Sequence, residues 1–292
     1  MEEFLQQIIN GLSLGSIYAL VALGYTMVYG IIKLINFAHG DVYMIGAYTA
    51  FIVTTYFGFN FFTALIACMV VCGILGVLIE RVAYRPLRKA PRITALITAI
   101  GVSYVIEYTT KLIMGTSVRS FPALVPTTSW QIGPVKITYL QVLIFSITIV
   151  LMLVLTFIVQ KTKIGRAMRA VSADENAARL MGISVDNTIS VTFLSGSALA
   201  GAAGLLVGVY YNSVSPLMGM VPGLKAFVAA VFGGIGSIPG AMVGGLFIGI
   251  AETMVVAYGS SLYRDAIVYG ILILVLIIKP AGLFGSTERE KV

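Results

Sequence analysis

The sequence predicts an all-α, polytopic bundle of about eight or nine transmembrane helices. Three observations carry this. Of the 292 residues only 11% are charged while 59% are apolar, against roughly a quarter charged and about half apolar in soluble domains. Several charge-free runs exceed the about 20 residues that cross a bilayer as helix. None breaks into the alternating segments of about ten residues that a transmembrane barrel would show. Lipid offers the backbone no hydrogen-bond partners, so each run must satisfy its own amides as helix. The 31 glycines follow no period of three, which excludes a collagen-like chain, and the apolar content excludes a disordered one.

In chain order, residues 4 to 32 give the first span. It lacks a basic leader and its apolar run outlasts a signal-peptide core, so it is expected to be retained. Residues 42 to 79 carry no charge, too long a run for one crossing, and Gly58-Phe59-Asn60 divides it into two. Residues 93 to 115 form a fourth span that contains Glu107 and Lys111, four apart and able to pair on one helical face. A fifth covers 138 to 160 and a sixth 188 to 211. The stretch 223 to 258 is interrupted by Gly233-Gly234-Ile235-Gly236-Ser237-Ile238-Pro239-Gly240, which predicts a short or bent helix and then a full one. Residues 263 to 279 complete the set, and 1 to 292 read as a single membrane domain.

Positive charge opposes translocation of short loops and so sets orientation. Arg81, Arg85, Arg88, Lys89 and Arg92 crowd one loop, and Lys161, Lys163, Arg166, Arg169 and Arg179 another. With Lys33, Lys279, Arg289 and Lys291 they put 14 of the 19 cations on the cytoplasmic side. The formal charge of +7 is therefore a topology signal facing lipid headgroups rather than a nucleic-acid footprint. Nine crossings place the N-terminus outside and the C-terminus inside, with 116 to 137 an external loop.

Catalytic chemistry is poorly provided for. The chain has no G-x-x-x-x-G-K-[ST] loop, and its single His39 excludes H-E-x-x-H and any multi-histidine metal site. Cys68 and Cys72 share a helical face without further ligands, which makes them packing residues. No catalytic residue, bound cofactor or metal is expected in this chain.

Polar and small residues mark the remaining candidates. Gly11 and Gly15, Gly204 and Gly208, Gly240 and Gly244, and Gly245 and Gly249 have the spacing that lets helices approach closely in lipid. The break containing Gly233, Gly234, Gly236 and Gly240 is a candidate lining of a translocation path, because broken membrane helices expose backbone groups where a pathway runs. Asn36, His39, Gly40 and Asp41 form either a cytoplasmic turn capped at Asp41 or a gate or rigid elbow near the inner mouth. Glu252 has no cation within a helical turn and is a pathway candidate as well as a structural one. Arg264 and Asp265 read as interfacial anchors.

The cytoplasmic loop from about 161 to 187 is the most informative segment. Ser172, with Glu175 three residues on, has capping-box spacing, and Gly182 suits a helix stop. The short helix between them presents Leu180 and Met181 as apolar anchors for a partner's groove.

Three stretches, in this order, resemble the permease subunits of bacterial branched-chain amino acid ABC importers, and among them the high-affinity H type. They are Asn36 to Asp41 with Met44 and Gly46-Ala47-Tyr48, then Gly165-Arg166-Ala167-Met168-Arg169-Ala170 through Asp174, Ala177-Ala178 and Gly182, then Gly233 to Gly240. The chain is more distantly similar to simple-sugar permeases of the same superfamily. The resemblance implies a multi-pass protein of the bacterial inner membrane that takes up Leu, Ile and Val delivered by a periplasmic binding protein. It also implies a second permease subunit and two cytoplasmic ATPases that use ATP and Mg. The importer coupling motif reads E-A-A, three residues, then G; here Ala177, Ala178 and Gly182 fit it and Asn176 replaces the Glu. The coupling element is thus expected at Gly165, Arg166, Arg169, Asp174, Glu175, Ala177, Ala178 and Gly182. Closely similar permeases carry urea or short amides, and a stand-alone channel or secondary transporter is the rival class, for which Glu252 would supply the ion-coupling carboxylate.

Overall fold

The computed structural model describes residues 2–88 and 90–285. Of the cations used for orientation, Lys89, Arg289 and Lys291 lie outside that range. Seven helices of the described residues are long and apolar enough to cross a membrane. In order, the helices are α1 (Glu2–Ile32), α2 (His39–Thr55), α3 (Phe61–Ile79), α4 (Arg92–Met114), α5 (Tyr139–Lys161), α6 (Lys163–Ala173), α7 (Glu175–Leu180), α8 (Val185–Tyr211), α9 (Met220–Gly233), α10 (Ile238–Tyr258) and α11 (Arg264–Ile278). The third span runs on past α3 through a wider π turn at Glu80–Tyr84 and a tight turn at Arg85–Leu87.

The division of the second and third spans falls where the sequence put it. Gly58 turns the chain at φ +65°, and the Asn60 side chain accepts a hydrogen bond from Thr63 N at 3.0 Å to start α3. Residues 116 to 137, expected only as a loop, hold more structure. Strands β1 (Arg119–Ser120), β2 (Ser129–Ile132) and β3 (Val135–Thr138) form there, and β2 pairs antiparallel with β3. Gly133, at φ +60°, takes the first place of the two-residue turn between them. β1 pairs with β4 (Ser213–Val214), which follows α8.

Helices α1 and α8 form the centre and are buried over most of their length, whereas α4, α5 and α11 are peripheral and expose apolar side chains. The glycine spacings explain how the centre closes. A Cβ on Gly15 would stand 2.7 Å from the Leu246 Cα, and one on Gly11 2.7 Å from the Ile250 Cα, so α1 and α10 cross backbone to backbone. Gly245 and Gly249 meet α1 from the other side, at Ala19 and Gly15. Gly46 of α2 likewise seats Gly201 of α8. Cys68 and Cys72 are buried and free, with the Cys72 thiol 3.3 Å from the Val42 carbonyl.

Two helices, α2 and α9, start away from the ends of the bundle. Beyond Ile32 the chain turns at Lys33, φ +51°, and folds back along α1, so that the His39 ring lies against Gly24. That level is eight residues, about 12 Å, short of the end of α1. The 14-residue α9 begins at the same depth, because Gly219 and Gly223 abut Gly40. Both helices therefore start inside the bundle rather than at a membrane face.

Candidate translocation and coupling sites

The segment 36–41 is an interior elbow, not a surface turn. Asn36, His39 and Asp41 are all buried. Tyr84 OH donates to Asn36 Oδ1 at 3.1 Å, and the His39 ring packs edge-on against Tyr25 at 4.7 Å. Asp41 does not cap α2: the helix starts at His39 after Ala38, which has no capping side chain. Asp41 sits in the first turn, where the helix dipole favours an acid, and its Oδ2 accepts a hydrogen bond from Ser103 of α4. Gly40 is required because a Cβ there would fall 3.2 Å from the Gly223 Cα and closer still to the Gly219 carbonyl.

The glycine-rich break between α9 and α10 is a tight corner closed by the C-terminal segment. Gly233 and Gly240 meet backbone to backbone. The freed carbonyls of Phe232 and Gly233 accept from Leu283 N and Phe284 N, each at 2.9 Å. The Ser237 side chain accepts from Gly240 N at 3.2 Å and starts α10. Gly234, φ +102°, packs on Gly282 and Gly285, while Gly236, φ +97°, stands beside Gly30. Gly236 lines a cavity of about 710 Å³ with Lys33, Ser172 and Phe284, at the end of the bundle to which Lys33 belongs.

Glu252 is not isolated. Lys225 of α9 reaches its Oε1 at 3.0 Å, Arg264 Nε reaches the same oxygen at 2.8 Å, and Tyr18 OH donates to Oε2 at 2.9 Å. Lys225 also pairs with Asp265 at 2.7 Å. Arg264 and Asp265, expected as interfacial anchors, thus close a four-charge cluster that ties α9, α10 and α11 together, with Tyr18 adding α1. Sequence reasoning overlooked Lys225, although the signal was present: two opposite charges in one otherwise apolar stretch imply that each has a partner.

A second cluster was also missed. Glu80, fully buried, accepts from Ser190 Oγ at 2.6 Å and pairs with Arg88; Arg88 Nη1 also reaches Asp186 at 2.6 Å, and Arg85 pairs with the same Asp186. It binds the cation-rich loop after α3 to the start of α8. Glu107 and Lys111 pair within α4 as their spacing predicts, and Glu107 also borders the cavity that Asp41 borders.

The loop from 161 to 187 contains two helices. α6 was not foreseen: Thr162 Oγ1 accepts from Gly165 N at 3.1 Å, and Gly165 packs against the carbonyls of Ile158 and Val159 where α5 turns into α6. Arg169 donates to the Val159 carbonyl, while Arg166 is exposed. Ser172 is not the expected cap. Asp174 takes that role, accepting from Ala177 N at 2.9 Å, and Ser172 Oγ instead donates to the Gly30 carbonyl at 2.6 Å. The reason is register: α6 runs on through Ala173, so Ser172 is still helical. α7 ends as foreseen, with Gly182 at φ +81° and Ile183 N bonded to the Ala178 carbonyl at 3.0 Å. Ala178 is buried, Asp174, Glu175 and Ala177 face outward, and Leu180 and Met181 are 89% and 83% exposed. Among the described residues no group of His, Cys, Asp and Glu side chains is arranged to hold a metal ion.

The sequence model of the family described as branched-chain amino acid transport system / permease component matches residues 7–276. The chain is 44% identical to the high-affinity branched-chain amino acid transport system permease protein BraD of Pseudomonas aeruginosa, over 99% of this chain and 98% of that one. It is 45% identical, with the same coverage, to the corresponding protein LivH of Escherichia coli K12. A probable branched-chain amino acid transport permease protein LivH of Methanocaldococcus jannaschii matches at 29% over 94% of this chain and 90% of that one. With its apolar helices and its family model covering nearly the whole chain, this multi-pass membrane protein belongs to the branched-chain amino acid transport permeases.

Proposed function

We propose that the chain is one permease subunit of an ATP-driven importer in a bacterial inner membrane, taking up Leu, Ile and Val from a periplasmic binding protein. It pairs with a second permease and docks on two cytoplasmic ATPases, which bind ATP and Mg; this chain holds no cofactor and catalyses no reaction of its own. The observation that carries the reading is the α6–α7 element. Two large apolar side chains, Leu180 and Met181, stand bare at the tip of a charged segment on the cation-rich side, where an isolated subunit has nothing to gain from exposing them.

Motion at α7 has a physical route into the bundle. Ser172 holds α6 to the end of α1 at Gly30, and Gly30 lies beside Gly236 of the α9–α10 break. Nucleotide-driven movement of the ATPases would be passed along these contacts to the helices that open and close the path. A secondary transporter needs a free carboxylate within the membrane, and the salt bridges of Glu252 to Lys225 and Arg264 weigh against that role.

The test is copurification and uptake. ATPase subunits are expected to copurify with the wild-type chain, and Ala178→Pro, or Arg166→Glu with Arg169→Glu, to lower leucine uptake while membrane insertion is kept. Normal uptake in these variants rejects the loop as the coupling element, and leucine transport by the chain alone rejects the importer.

A further inference from the structure

Beyond α3 the chain makes one π turn, Glu80–Tyr84, before the tight turn at Arg85–Leu87. Such turns are rare and frequent at functional sites. This one points two buried side chains, Glu80 and Tyr84, at α8. Three residues of α8 meet the segment, and their i, i+4, i+7 spacing puts them on one helical face. Asp186 pairs with Arg85 and Arg88, Ser190 Oγ donates to Glu80 at 2.6 Å, and the Phe193 ring packs 5.3 Å from that of Tyr84. Glu80 is fully buried and also holds Arg88, so parting the two elements would strand a charge in a medium of low dielectric. The segment and the start of α8 therefore move as one body.

This body is tied at both ends. On the cytoplasmic side α8 begins at Val185, three residues after Gly182, and Ile183 N holds the Ala178 carbonyl of α7 at 3.0 Å. On the inner side, Tyr84 OH donates to Asn36 Oδ1 at 3.1 Å, with the Ile35 carbonyl at 3.4 Å. The Asn36 carbonyl in turn accepts at 3.1 Å from the backbone N of His39, the first residue of α2. Among the described residues the amide nitrogen of Asn36 has no partner, so Tyr84 is what holds this side chain. α2 then abuts α9 at Gly40, Gly219 and Gly223.

We infer that Tyr84 is a positioning residue for energy coupling, whose hydroxyl passes displacement of α7 and α8 to the start of α2. The contact of Ser172 with Gly30 reaches α1 and the α9–α10 break. This second route reaches the place where α2 and α9 meet. The inference rests on the importer reading and adds to it a link between the ATPase-docking loop and the interior elbow.

The test uses the whole complex in proteoliposomes, with both permeases, the ATPases and the binding protein, counting labelled leucine taken up per ATP hydrolysed. Tyr84→Phe keeps the ring on Phe193 and removes only the hydroxyl. It is expected to retain binding-protein-stimulated hydrolysis while leucine per ATP falls about fivefold, the worth of one buried hydrogen bond. A merely structural role would lower the melting temperature and the yield of complex but leave leucine per ATP unchanged. Asn36→Leu should match Tyr84→Phe, and the double variant should be no worse than the worse single one, because both remove the same link. If Asn36→Leu fails to assemble, Tyr84→Phe alone decides. Wild-type coupling in Tyr84→Phe, or losses that multiply to about twenty-five-fold in the double variant, overturn the inference alone. So does a Tyr84→Phe complex that fails to assemble or loses hydrolysis along with uptake, since the hydroxyl then serves folding or docking. A wild-type complex whose leucine uptake needs no ATP overturns the importer reading along with it.

Discussion

Lys225 and Glu252 face each other at 3.0 Å with both side chains withdrawn from their surroundings, at 0% and 1% exposure. The pair lies between α9 and α10, and the cluster is neutral once Arg264 and Asp265 are included. Breaking such a pair leaves a charge uncompensated in a medium of low dielectric, at a cost of about 3–5 kcal/mol. Lys225→Met and Glu252→Gln should each lower the melting temperature of the purified complex, with the smaller loss wherever Arg264 or Asp265 takes over the orphaned partner. The double variant should recover much of the loss. A double variant no better than the worse single one would show that packing, not charge balance, is what the pair contributes.

The crossing of α1 and α10 gives a prediction with an internal control. Gly15→Val places carbon where the backbone of Leu246 already stands, and neither helix can retreat without separating, so a loss of about 3 kcal/mol is expected. Gly101 and Gly270 have nothing within 4 Å of a new Cβ. Their alanine variants should fold and melt like the wild type, as measured by thermal unfolding in detergent.

Asp174 and Ser172, close together before α7, have different roles that substitution separates. Asp174→Ala removes the acceptor for Ala177 N and should cost about 1 kcal/mol of local stability, read as faster amide exchange across 175–180. Ser172→Ala leaves α7 intact and should instead loosen the contact of α6 with the end of α1. Equal exchange in the two variants would mean that the cap assignment is wrong.

The exposed tip of α7 should matter to assembly and not to folding. Leu180→Asp with Met181→Asp places charge on side chains that touch little of this chain, so expression and insertion should be unchanged. Copurification of ATPase subunits should fall at least about tenfold, since apolar anchors in grooves dominate such contacts. Undiminished copurification would remove this tip from the interface.

Much of the fold was legible in the sequence because lipid imposes one rule: an apolar run must be helix. Asn60, Gly182 and the break at Gly233 to Gly240 marked boundaries by their own chemistry, and the structure keeps them. What the chain alone did not disclose depends on contacts between distant segments. Lys225 and Glu252 share one apolar stretch, which implies that each has a partner, but that they meet each other across 27 residues is set by the fold, and nothing near Asp41 points to Ser103 of α4. The depth of the elbow was equally hidden, because Asn36 to Asp41 has the composition of a surface turn. Only the close approach of Gly24, Gly40, Gly219 and Gly223 sets it inside the bundle. α6 was missed since Lys163 to Ala173 is too polar for a span, and its helix is fixed by the Thr162 cap and by Met168 and Val171, both buried.

The central claim is that this chain passes branched-chain amino acids under the drive of partner ATPases. It is tested most directly by reconstituting the complex and adding the binding protein of the same transport system together with leucine, valine, urea or ribose. Leucine and valine should stimulate ATP hydrolysis and accumulate inside the vesicles, while urea and ribose do neither. Stimulation by urea or ribose in place of leucine, or leucine accumulation without the ATPases, would contradict it.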